Sequence, residues 1–566
     1  MAASASGLRA FTTLNVPFTD IPVRVGPGSL AAGTFPGRQS PVMDAFDAVI
    51  IGSGHNALVA GAFLARDGWS VLVLEERDRP GGLVRTEELT LPGFKHDVYS
   101  SAHPLFTAGP AYAALAPDLA RLGLEYRQSK YWSGVSTPEG STVLSMDPEA
   151  NVAEAERLAP GDGQALAKLL KDFEPHVEPV FGLLGAELAS EESAKVIHQL
   201  MHNRHGGFSD FAHLFTRTAR ELLTQTFASP VLRSALAPWA LHLGRGPDEV
   251  NSGLWVLLCQ VALGMAGMPT PAGGSERLVQ VLAELIEKHG GHVRTGQHVE
   301  RVLLKDGHAR GVRLAGGQVV HARRAVIASV NPDQLYLELL ADEPGAVPEP
   351  IRGQAARYRY GRGCFMLHLA LSEPPRFADE RLQEAGEPHL SDGLDALSAS
   401  VNEAARGLLP ALPTIAFDTP SIVDSSRAPA GKAVSRVQLL DVPTRPIGDA
   451  AGEIAVDGQW TPDVKKAFAD RVLALVGRHA PNVPGAVLGM SILAPDDLAR
   501  ANRNCGPGDP YGGSHDLAQS YLFRPLPGQP SHRTSVPGLW MLGAATWPGH
   551  GVNGGSGYIV ARSLLS

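Results

Sequence analysis

The sequence predicts an α/β fold built on a Rossmann-like nucleotide-binding unit. Three observations carry this. A strand, glycine turn, helix and second strand are packed into residues 47–75. Runs of β-branched residues broken by turn dipeptides follow near 292–328, and the chain closes on a strand, a glycine-rich loop and a helix. Between these pieces lies a long stretch of helical periodicity that reads as an insertion.

Residues 47–51, "DAVII", form an apolar, β-branched run suited to a buried parallel strand. The helix expected over 57–67 carries Ala57, Gly61 and Ala65 on one side, so it can lie close to a sheet; Gly68 ends it and "SVLVLE" is the second strand. Asp162 is placed to cap a helix whose Leu166, Leu169, Leu170 and Phe173 follow helical spacing, and Pro247, Asp248 and Glu249 mark another helix start. Asp306-Gly307 and Gly316-Gly317 predict two hairpin turns. No period of 20 to 50 residues recurs, which disfavours solenoids and propellers. Residues 1–43 are rich in Ala, Ser, Gly and Pro, with Arg9, Arg24 and Arg38 and one acid, Asp20; a disordered extension or a targeting segment is expected there.

Across 566 residues, 44% hydrophobic and 19% charged, the net charge is −9 with no block of Lys or Arg, which sets nucleic acid aside as a partner. The three cysteines, Cys259, Cys364 and Cys505, are far apart and form neither a redox pair nor a zinc-ligand pattern. Isolated reduced thiols, no metal and a cytoplasmic setting are the expectation. No apolar run reaches the ~20 residues of a spanning helix. The nearest, residues 253–267, reads as a buried helix. Peripheral membrane contact and oligomeric state stay open, since no basic amphipathic helix argues for docking.

The turn itself reads Gly52-Ser53-Gly54-His55-Asn56-Ala57, the G-x-G-x-x-A variant of the dinucleotide pattern. The first glycine makes the turn, the second admits a pyrophosphate, and the helix start offers unpaired N–H groups to that anion. Glu75 ends the second strand, 23 residues after Gly52, where a carboxylate bonds ribose hydroxyls. NAD and FAD share this half-site. Gly81-Gly82, soon after the acid, suggests a second close backbone approach and a longer cofactor.

The run 50–86, the "PAGGSERL" segment within 271–291 and the closing "GLWMLGAATWPGHGVNGGSGY" together resemble the FAD-dependent phytoene desaturase and carotenoid/retinoid oxidoreductase family. The resemblance implies a discontinuous FAD-binding domain of the glutathione-reductase/amine-oxidase type, from 44–130, 265–335 and 530–566, with an inserted α+β substrate domain from 131–264 and 336–529. It implies that Gly52, Gly54, Asn56 and Ala57 meet the pyrophosphate, with His55 beside them, and that Glu75 and Glu76 face the adenosine ribose. Gly81, Gly82 and Leu83 would lie along the ribityl chain or flavin, and Val299 at adenine. Gly543, Ala544, Gly551, Val552 and Asn553 would frame the flavin, with a helix running from Asn553. No second glycine pattern marks a separate NAD domain.

Two departures from the family pattern stand out. Thr546-Trp547-Pro548-Gly549-His550-Gly551 replaces Thr-His-Pro-Gly-Gly-Gly, which makes His550 and Trp547 catalytic candidates above the flavin ring. Leu83-Val84 stands where monoamine-oxidase relatives have Gly-Arg. His96, Asp97 and His103 form a second-rank polar cluster. The expected function is an FAD-dependent dehydrogenase or desaturase taking hydride from a small hydrophobic, isoprenoid or polyene-like substrate. The competing accounts are a flavin amine oxidase, a redox-neutral isomerase and a non-catalytic flavin-binding assembly factor.

Overall fold

A computed structural model describes residues 23–25, 45–202 and 207–566. Strand Ala45–Ile51 is buried from Ala48 onward, as its unbroken apolar run requires. It pairs in parallel with Val71–Leu74 on one side and Val319–Ala328 on the other. His292–Arg294 extends the sheet beyond Val71–Leu74, and Leu539–Met541 pairs in parallel with the far end of Val319–Ala328. The last strand of the chain therefore lies one strand away from the first of this sheet. Val299–Lys305, His308–Leu314 and Val319–Ala328 make an antiparallel meander on the same sheet. Its turns fall at the two predicted dipeptides, with Asp306 (φ 52°) and Gly307 (φ 75°) in the left-handed region that such hairpins need.

Helix His55–Arg66 is buried along nearly its whole length because it is sandwiched between neighbours. A Cβ at Gly557, on the C-terminal helix Gly555–Leu565, would stand 2.0 Å from the Asn56 carbonyl oxygen, so the two helices cross with backbones in contact. Leu58, Leu64, Val279 and Leu282 share one core, and Val49, Leu72, Tyr336, Leu340 and Ile351 another. Residues 336–358, expected with the substrate domain, thus pack on the nucleotide sheet: their apolar side chains complete the core that strands 45–51 and 71–74 leave open.

A second, eight-stranded sheet runs Val23–Val25, Val487–Leu493, Gly363–Leu371, Ala433–Val442, Ile415–Asp418, Ala385–Leu390, Tyr131–Thr137, Gly140–Leu144. Phe365, Leu367 and Leu439 from this sheet pack with Phe468 and Val472 of helix Pro462–His479. Of the disordered or targeting extension expected over 1–43, Val23–Val25 is a strand that pairs in parallel with Met490–Ile492, so that short piece is not disordered; the rest of the expectation lies outside the described residues. The helical insertion includes Asp162–Leu184, Ala219–Thr226 and Ser252–Ala266, joined through Phe173, Leu222, Leu254 and Leu258. Asp162 does not cap its own helix, whose N-cap is Gly161; its carboxylate accepts instead from Ala228 N at 2.7 Å and Ser229 N at 2.8 Å, tying the helix to the start of helix Pro230–Leu236. Residues 253–267 are the buried helix expected. Among the described residues no helix is long and apolar enough to cross a membrane.

Candidate active site

Gly52, at φ 85°, turns the chain at the end of strand Ala45–Ile51. Gly54 is the N-cap of the next helix, yet no side chain caps that helix and its first turn has no acid. Its leading N–H groups are thus left for an anion. Gly54 has an ordinary backbone (φ −59°, ψ 159°), and the nearest atom to a Cβ placed there is Ser329 Oγ at 3.9 Å. Neither strain nor protein packing calls for a glycine at this position. The space a side chain would take belongs to the cleft, as a cradle for a pyrophosphate requires, and on this ground the residues fit FAD.

Glu75 lies just past strand Val71–Leu74, buried, accepting from Ser53 N at 3.0 Å, Ser53 Oγ at 2.6 Å and Arg77 N at 2.9 Å. These bonds fix the carboxylate at the rim of a cavity of about 110 Å³ that Gly52, Glu76 and Val299 also line. Glu76 pairs with His298 Nδ1 at 3.0 Å. This cavity meets a larger one, about 300 Å³, at Gly54, Gly82, Ser329, Asn502 and Asn504. The larger cavity is walled by His55, Asn56, Gly81, Leu83, Gly543, Ala544, Gly551 and Val552, so residues from both ends of the chain converge on it. Burial holds the His55 pKa down to about 4, so the ring beside the glycine turn is neutral.

Four expectations are corrected. Ala57 is fully buried beneath the cleft rather than on it; its methyl group serves helix packing. Asn553 does not line the cavity: its Nδ2 donates to the carbonyls of Gly549, His550 and Gly551 and its Oδ1 accepts from Gly555 N at 2.7 Å, so it shapes the loop, and the helix begins at Gly555. Trp547 packs with Leu183, Leu188 and Ile559, its indole N–H donated to the Leu183 carbonyl at 2.8 Å, away from the cavity. A large apolar ring next to a helical insertion found a core there instead of a flavin. His96, Asp97 and His103 are buried off the cavity wall, His96 bonded to Thr90 at 2.7 Å, Asp97 paired with Arg427 at 2.8 Å and His103 bonded to Tyr126 at 3.1 Å.

His550 does line the cavity, with both ring nitrogens engaged. Nε2 donates to the His242 carbonyl at 2.7 Å, and Nδ1 lies 2.8 Å from His515 Nε2. Burial lowers its pKa to about 4.

Sequence reasoning missed a polar group at the cavity's other end. Glu387 on Ala385–Leu390, Arg436 on Ala433–Val442 and His242 on the short helix Ala237–Leu243 all line it. They come from positions with no motif spacing, and only the second sheet brings them together. Ser329, by contrast, directly follows strand Val319–Ala328 beside the glycine turn, at the place where open α/β sheets bind ligands, and that signal was readable. The three cysteines, isolated in sequence, all reach this one cavity. Burial pushes the Cys259 and Cys364 thiols up to about 12, so they stay neutral and add to its soft apolar lining.

A nucleotide cleft at the carboxyl ends of a parallel sheet, opening on a cavity over a second sheet, places the chain among two-domain flavoproteins. It belongs to the flavin containing amine oxidoreductase family, whose model matches residues 58–452, and is an FAD-dependent oxidoreductase. It is similar to pyridine nucleotide-disulfide oxidoreductase domain-containing protein 2 of Rattus norvegicus, 28% identical over 92% of this chain and 94% of the relative. A phytoene desaturase (neurosporene-forming) of Cereibacter sphaeroides is 26% identical over 92% of this chain and 95% of its own. In fold it matches an oxidoreductase from Methanosarcina mazei with a TM-score of 0.56 at 15% identity, covering 92% of this chain and 99% of that one.

Proposed function

We propose that this protein is a dehydrogenase or desaturase that takes hydride from an apolar, isoprenoid- or polyene-like molecule. The single observation that carries the reading is the wall of the larger cavity, where Leu243, Ala262, Leu263, Met268, Met366 and Leu440 make an apolar lining with the few polar groups held at its edges. Similarity to a phytoene desaturase over nearly the whole chain supports it.

Gly52, Gly54 and Asn56 would hold the pyrophosphate, Glu75 the ribose, Val299 the adenine edge, and Gly543, Ala544, Gly551 and Val552 the flavin. Bound there, FAD supplies a two-electron acceptor for a C–H bond. The chain's own work is to hold the substrate's carbon skeleton against that wall and to exclude water. Helix Ser252–Ala266 contributes Cys259, Ala262 and Leu263 to the wall, so the helical insertion closes the cavity over the sheet.

The test is anaerobic mixing of the flavin-loaded protein with detergent-dispersed isoprenoid alkenes and, separately, with primary amines, followed by mass spectrometry. Bleaching by the apolar class with a product lighter by two hydrogens is expected. Bleaching by amines alone, turnover without any change of flavin redox state, or binding without turnover would overturn the proposal in favour of an oxidase, an isomerase or an assembly factor respectively.

A further inference from the structure

The carboxylate of Glu387 is buried at the edge of an apolar cavity that already has a place for the hydride acceptor at its glycine-lined side. Oε1 lies 3.3 Å from His242 Nε2, and that same nitrogen is hydrogen-bonded to His389 Nε2 at 2.9 Å, so a carboxyl and two imidazoles form one buried polar cluster. Trp239 fixes both rings, stacked on His242 at 4.7 Å and edge-on to His389 at 5.2 Å. His389 Nδ1 is buried without a hydrogen-bond partner among the described residues.

Removing two hydrogens from adjacent carbons is two events. One C–H bond breaks with its electron pair leaving as hydride, which reduces the oxidised flavin by two electrons. The other breaks with its pair becoming the new C=C bond, and its proton must go to a base. On the cavity wall the His550 ring has both nitrogens engaged and the thiols are neutral. We propose that Glu387 is the proton acceptor of the dehydrogenation, its carboxylate taking the proton whose C–H electron pair becomes the new C=C bond. The inference rests on the function proposed above.

The groups facing Glu387 set when it can act. Arg436 Nη2 stands 3.5 Å from Oε2 and is shared with Asp418, whose Oδ1 takes Arg436 Nε at 2.8 Å. His242 faces it from the helix above, His389 flanks it on its own strand, and the neighbouring strand Tyr131–Thr137 brings only the Ser133 hydroxyl, bonded to the Glu387 backbone carbonyl at 2.8 Å. Burial raises the Glu387 pKa to about 7, Arg436 opposing and Asp418 adding to the rise. The carboxylate needed for proton capture is therefore populated as pH rises through neutrality.

Two measurements on the flavin-loaded protein test this, with Glu387→Gln beside wild type. Infrared titration needs no substrate. It should show a buried protonated carboxyl that ionises near pH 7 and is missing from the variant, and a wild type without that band would overturn the assignment whichever function holds. In anaerobic mixing with the apolar substrate, the variant should bind it as wild type does, judged from the flavin spectrum. Its bleaching rate should fall by about 10²–10⁴-fold and lose the rise through pH 7. Bleaching within threefold of wild type with an unchanged pH profile would remove Glu387 while leaving the desaturase reading intact. The donor atoms of His242, Glu387 and His389 also lie within 4.8 Å of one another. Stoichiometric uptake of Co2+ with a ligand-field spectrum, abolished by His389→Ala, would give the cluster to a metal and overturn the assignment of Glu387.

Discussion

Replacing Gly54 with alanine separates a ligand-binding glycine from a structural one. Its φ of −59° suits alanine, and the nearest protein atom to the new methyl is Ser329 Oγ at 3.9 Å, in ordinary contact. Apoprotein stability should therefore move by no more than about 1 kcal/mol, the loss of a glycine cap being offset by a stiffer unfolded chain. The methyl occupies the place where the pyrophosphate meets the uncapped helix start. Losing two charge-assisted hydrogen bonds at ~1.5–3 kcal/mol each gives about 3–6 kcal/mol, or ~10²–10⁴-fold weaker FAD binding. The assay is titration of deflavinated protein with FAD, followed by quenching of flavin fluorescence, alongside urea unfolding of the same apoproteins. Wild-type affinity in Gly54→Ala, or a collapse of apoprotein stability, would refute the reasoning.

Gly557→Ala should do the opposite: a Cβ 2.0 Å from the Asn56 carbonyl forces the two helices apart, costing at least the ~1–3 kcal/mol of an overpacked core, read from the urea midpoint of the apoprotein. An unchanged midpoint would contradict the close crossing. Trp547→Phe should lower stability by about 0.5–1.5 kcal/mol through the lost bond to the Leu183 carbonyl while leaving anaerobic bleaching kinetics unchanged; slowed bleaching would return the ring to the reaction. The apoprotein should be acid-labile. Burial lowers the pKa of nine histidines, His55 and His550 to about 4 among them. The unfolded chain therefore takes up more protons below about pH 6.5, and their contribution, complete above it, is lost as pH falls toward 4. Glu387, Asp441 and Asp509 are raised and oppose this over part of the same window, but three groups do not balance nine. A urea midpoint that stays flat from pH 7 to pH 5 would contradict the assignment.

The nucleotide half of the molecule was legible because its chemistry is local. Gly52, Gly54 and Glu75 are held within one βαβ unit, where strand periodicity, a turn and an acid at fixed distance leave little choice. Gly543 and Val552 required the resemblance, since nothing in a C-terminal loop says that its strand returns to the first sheet. Trp547 was misplaced because a large ring in a glycine-rich loop reads the same whether it faces a cofactor or a core; helix Asp162–Leu184 decides, by offering Leu183. Glu387, Arg436 and His242 were illegible. Their meeting depends on pairing across the second sheet and on the helical insertion, and single charged residues in apolar strands carry no spacing that announces it.

The most direct measurement is an experimental structure of the flavin-loaded protein. The account predicts one FAD stretched through both cavities, with adenosine between Glu75 and Val299, pyrophosphate over Gly54, and the isoalloxazine beside Gly543 and Val552 with one face open to the apolar wall. Flavin bound elsewhere, or a ring whose open face meets solvent instead of that wall, would contradict it.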